Sequence, residues 1–166
     1  MGAIKSLNII SSTYLIISGV ASLFFLGVVL IQNDIEGIFW VTMPLCIAAV
    51  VVTIVNNYKI LRSLSIISKK NLLINIVLTA FQAINVSFNG FQFKYNQGLE
   101  IVVYANMENI SKKVNCGAYV SNFNYFLNVK FIGSEYSVIG LNLLALSLFL
   151  FYFYQYKRIR PVAGRE

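Results

Sequence analysis

The chain contains no histidine, which removes imidazole-ligated haem, histidine-bound zinc and imidazole acid–base catalysis from the functions open to it. Its two cysteines, Cys46 and Cys116, form no C-x-x-C motif, which argues against a thiol–disulfide centre. Charge is scarce too: 11% of residues are Asp, Glu, Lys or Arg, where a soluble domain ordinarily carries about 25%. Neither a glycine-rich phosphate loop nor a nucleophile elbow occurs. These absences point away from an enzyme, and no metal or cofactor is expected.

What is abundant is apolar sequence, at 58% of 166 residues and a mean hydropathy of +0.73. It falls into four runs at about residues 9–31, 38–56, 71–89 and 136–155, each near the ~20 residues a helix needs to cross ~30 Å of hydrocarbon. The expected fold is therefore a membrane all-α bundle of four transmembrane helices in one domain, residues 1–166. A small antiparallel β-rich cap is expected outside the membrane between the third and fourth helices. The first run continues through LFFLGVVLI, past any plausible cleavage point, and reads as a retained anchor.

Nine of the thirteen basic residues flank these runs on one side of the expected topology: Lys5, Lys59, Arg62, Lys69, Lys70, Lys157, Arg158, Arg160 and Arg165. Basic residues beside spans stay preferentially in the cytoplasm, so the expectation is a multi-pass protein with both termini cytoplasmic and loop 90–135 outside. The net charge of +7 then serves anionic headgroups, and no nucleic-acid partner is expected. No ionisable side chain falls within the central part of a run, and the six carboxylates, Glu100 and Glu108 among them, are assigned to the water-facing parts.

Loop 90–135 contains the clearest strand patterns. In FQFKY, Phe91, Phe93 and Tyr95 alternate with Gln92 and Lys94, and LEIVVYA at 99–105 reads as the returning arm of a hairpin about Asn96-Gln97-Gly98. YFLNVKF at 125–131 supplies a third strand. The polar stretch between them reads as a surface excursion carrying a sequon at Asn109 and, at Cys116, a free thiol or one half of an intermolecular bridge. The arrangement of four spans with a short first and a long second outer loop resembles tetraspanins in topology alone. Cys116-Gly117 lacks the preceding cysteine of their CCG motif, so no family is assigned.

The third run carries amides that hydrocarbon would not tolerate. Asn71, Asn75, Thr79, Gln82, Asn85 and Asn89 follow one another at steps of three and four, which aligns them on one face of a helix. An unpartnered amide in hydrocarbon costs several kcal/mol, so this stripe must meet another helix, another subunit or a water-filled path. Ser18, Gly19 and Ser22 give the first run a small-residue packing face. The combined expectation is a non-enzymatic accessory or scaffold subunit, acting through its outer loop and the polar face of helix 3 on another membrane protein or a second copy. The alternative is an oligomeric channel or facilitator for a small solute or ion, lined by Asn75, Gln82 and Asn85.

Overall fold

A computed structural model describes residues 2–32, 37–64, 66–88, 91–108, 112–121, 126–131 and 136–159. Its elements are α1 (Gly2–Gln32), α2 (Gly37–Arg62), α3 (Lys69–Ala83), β1 (Ile84–Phe88), β2 (Phe91–Asn96), β3 (Glu100–Glu108), β4 (Val114–Ser121), β5 (Phe126–Phe131), β6 (Tyr136–Asn142) and α4 (Leu143–Arg158).

The expected bundle of four transmembrane helices is not what the chain builds. Among the described residues, only α1 and α2 contain stretches long and apolar enough to cross a membrane, at Gly2–Val28 and Thr42–Arg62, and that judgement rests on length and composition alone. The third and fourth apolar runs each divide into helix and strand. α3 has 15 residues and passes directly into the five of β1, while the seven residues of β6 pass directly into the 16 of α4. The β-branched and aromatic residues of INVSF and YSVIGLN favour extended backbone. Asn142 then starts α4 as its N-cap, its side chain accepting from the backbone N–H groups of Leu144 and Ala145, which would otherwise have no partner in the first turn.

The six strands form one antiparallel sheet in the order β4-β3-β6-β1-β2-β5. The β-rich part is therefore a full layer of the fold and not a small cap. β2 and β3 are no hairpin: β1 and β6 lie between them. They are joined by three residues, and this short link is possible because the sheet curls. The Lys94 ammonium on β2 donates to the Tyr119 hydroxyl on β4 at 3.2 Å, although four strand spacings of ~4.8 Å would separate these strands in a flat sheet.

Leu15 of α1, Leu72 of α3 and Tyr152 of α4 form the apolar core where these helices meet. The sheet docks against the middle of α1. Tyr14 exchanges hydrogen bonds with the backbone of Leu99, and the Gln97 amide donates to the Leu15 carbonyl. Gly98 has φ +98, and a Cβ there would lie 2.5 Å from the Ser18 hydroxyl. Glycine is thus required both by the backbone and by the close approach.

Candidate functional site

The side-chain amide of α3 that bonds to α2 is that of Asn75. Asn75 and Asn57 exchange side-chain hydrogen bonds at 2.9 and 3.2 Å, and Asn56 donates to the Asn75 side chain at 2.8 Å and to the Asn71 carbonyl at 2.9 Å. Thr79 is buried but donates to the Asn75 carbonyl of its own helix. Gln82 is buried beside Tyr95. The stripe then breaks, because Asn85 belongs to β1, and Asn89 lies outside the described residues. A similar pairing joins α1 to α4: Asn8 and Gln155 exchange two hydrogen bonds at 2.9 and 3.0 Å, and Tyr152 donates to Ser11.

Ser18, Gly19 and Ser22 are buried on α1. A Cβ at Gly19 would stand 2.6 Å from Ile54 of α2 and 3.0 Å from the Gln97 amide, so this small patch receives a helix and the β2–β3 link together. Asn109 lies outside the described residues. Cys116 is a free, exposed cysteine on β4, which replaces the surface loop expected there.

The concave face of the sheet holds an ion pair that sequence reasoning assigned to a solvated surface. Glu100 is 0% exposed, and its Oε1 accepts from the Lys94 ammonium at 2.7 Å. Burial works against the Lys94 charge, but hydrogen bonds to Glu100 and Tyr119 and the attraction of the carboxylate outweigh it, so the pKa lies above the ordinary lysine value. Asn85 sits directly across from Lys94 on β1. Both of its amide atoms are buried without a hydrogen-bond partner, as is Glu100 Oε2. Gly140 completes the floor, since a Cβ there would meet Val102 at 3.1 Å and Asn85 at 3.4 Å. The signal for this site was two-sided: Glu100 alternates with Ile101 and Val103 yet shares its face with Val102 and Tyr104, so neither face of β3 reads as water-facing.

Apart from Ser137 of β6, the convex face is apolar across the described parts of β1, β6, β3 and β4. By strand alternation it carries Ile84, Val86 and Phe88 of β1, Ile139 and Leu141 of β6, Ile101, Val103, Ala105 and Met107 of β3, and Val114, Cys116, Ala118 and Val120 of β4. Ile139 is 63% exposed, Val114 61% and Val120 67%. Among the described strands β4 pairs only with β3 and forms one edge of the sheet, and its eight residues, VNCGAYVS, include neither a charge nor a proline.

Compared with known proteins, the chain matches no family model, no curated protein and no solved structure.

Proposed function

We propose that this chain is a non-enzymatic, membrane-anchored accessory subunit that docks a partner membrane protein along β4. The observation that carries the reading is the β4 edge. Natural sheets blunt such an edge with lysine, proline or a bulge because its unpaired N–H and C=O groups template pairing with another chain. β4 has neither lysine nor proline within it and is flanked at its start by Lys112 and Lys113. A partner strand laid along it would continue the apolar convex face.

Anchoring falls to the α1–α2 hairpin, whose exposed residues include Ile10, Ile17, Phe24, Leu45, Val51 and Val55. Its basic end carries a groove of about 600 Å³ lined by Ile54, Val55, Tyr58, Lys59, Arg62 and Ser63. Apolar walls with a basic rim suit a phospholipid with an anionic head. In this orientation Lys5 and Arg62 face the cytoplasm.

The test is purification from native membranes in mild detergent, followed by mass spectrometry, for the unaltered chain and for Val114→Lys/Cys116→Lys. Both substituted residues are exposed, so the variant is expected to fold. A heterologous membrane protein recovered with the unaltered chain and lost from the variant is the expected outcome. Equal recovery with both, or with neither, would sink the β4 reading.

A further inference from the structure

We infer that the lower convex face of the sheet, formed by Ile84, Ile101, Val103 and Leu141, is in contact with lipid acyl chains. The inference rests on the membrane anchoring by α1 and α2 proposed above, and goes beyond it in assigning a lipid-facing role to strands.

The first argument is height. The Asn8–Gln155 pair fixes a common level on α1 and α4. Ser18, against which Gly98 is packed, lies ten residues farther along α1, or ~15 Å at ~1.5 Å per residue. That is about half of a ~30 Å hydrocarbon layer. If α1 crosses a membrane, the β2–β3 link is near the middle of it, and the strands that begin there cannot all be outside.

The second argument is length. Twelve helical residues and two in strand carry the chain from Gln155 to Leu141, a rise of ~25 Å. Leu141 pairs with both Ile84 and Val103, so these three share one height, still short of ~30 Å. Val114, paired with Met107, lies four strand residues beyond Val103, or ~14 Å higher, and beside Lys112 and Lys113 it marks the watery side.

The third argument is continuity. The exposed apolar row Leu73, Val77 and Phe81 on α3 runs into Ile84 on β1, and Leu150 and Leu143 on α4 run back to Leu141 on β6, with no charge between. At the far end of both helices stand Lys69, Lys70, Lys157 and Arg158, where headgroups would be. Strands at this depth are tolerated only where their backbone groups are paired. β1, β6 and β3 each have a neighbour on both sides, and the edge strand next to β3 is β4, the strand assigned to the partner.

Depth can be read with tryptophan fluorescence. In a Trp40→Phe background, single tryptophans replace Phe24, Leu141, Val103 or Val114, and the full chain is reconstituted in phosphatidylcholine vesicles brominated midway along the acyl chains. Phe24 is exposed on α1 at nearly the height of Leu141 and serves as the reference. The expected result is a loss of fluorescence at Leu141→Trp and Val103→Trp comparable to that at Phe24→Trp, with little loss at Val114→Trp. Loss at Phe24→Trp alone would overturn the inference while leaving the anchor standing. Equal loss at Val114→Trp would overturn the assigned boundary, and no loss at any site would overturn the anchoring and the inference together.

Discussion

Lys94 and Glu100 form an ion pair in which one partner is fully buried, and the cost of disturbing such a pair depends on which half is removed. Taking away the ammonium leaves a buried carboxylate without its counter-ion, a loss of about 3–5 kcal/mol. Replacing both by uncharged residues removes the desolvation cost as well. Lys94→Met is therefore expected to lower the melting temperature in detergent sharply, and Lys94→Met/Glu100→Gln to recover most of the loss. An unchanged melting temperature in the single variant would refute the burial argument. The pH dependence follows from the raised Lys94 pKa. A raised pKa gives stability that is complete below the unfolded lysine value of ~10.4 and is lost as pH rises through the folded one. Lys94 thus adds no pH dependence near neutrality. Neither residue was recognisable in the sequence as buried, because a lone charge in an alternating strand looks the same whether its face meets water or a curled sheet.

At the scale of elements, α2 and α3 are joined by buried amide hydrogen bonds. Asn75→Leu removes one partner of Asn56 and the reciprocal pair with Asn57, whose Oδ1 loses its donor, and a buried polar group left unsatisfied costs about 1–3 kcal/mol. Thr79→Val breaks only a bond to its own helix. Unfolding titrations in mixed detergent should rank Asn75→Leu as clearly the more damaging. Equal effects would mean that the ladder contributes little. The amide stripe was legible as far as Gln82, since periodicity reports which side chains share a helical face. Its partners Asn56 and Asn57 were not, because one helix's pattern does not say which neighbour faces it. The strands of 91–96, 100–105 and 126–131 were legible from alternation or composition. β1 and β6 were hidden because their apolar residues continue those of α3 and α4 without a break, and helix plus strand together match the length of a span.

The whole molecule couples a long α1–α2 hairpin to a sheet seated halfway along α1, so that under the anchoring proposed above the depth of the sheet follows from that of α1. Length and composition located the apolar runs correctly, but counting residues assumes one rise per residue. A chain that changes from ~1.5 Å to ~3.4 Å per residue in mid-run covers more height with the same count. That is why four runs of similar length did not yield four spanning helices.

The direct passage from α3 into β1 also limits how this chain can tolerate insertions and deletions. A loop between helix and strand would absorb an extra residue, but here Ala83 is helical and Ile84 already extended. One alanine inserted after Ala83 must either rotate α3 by about 100° against α2 or slip β1 by one position, which exchanges its two faces. The slip would turn Asn85 outward and drive Ile84 against Lys94. Such an insertion is expected to abolish the monodisperse peak in size-exclusion chromatography, while the same insertion in the turn at 63–64 preserves it. Among divergent versions of the chain, length differences should therefore gather in connecting segments and be missing from the junctions at 83–84 and 142–143.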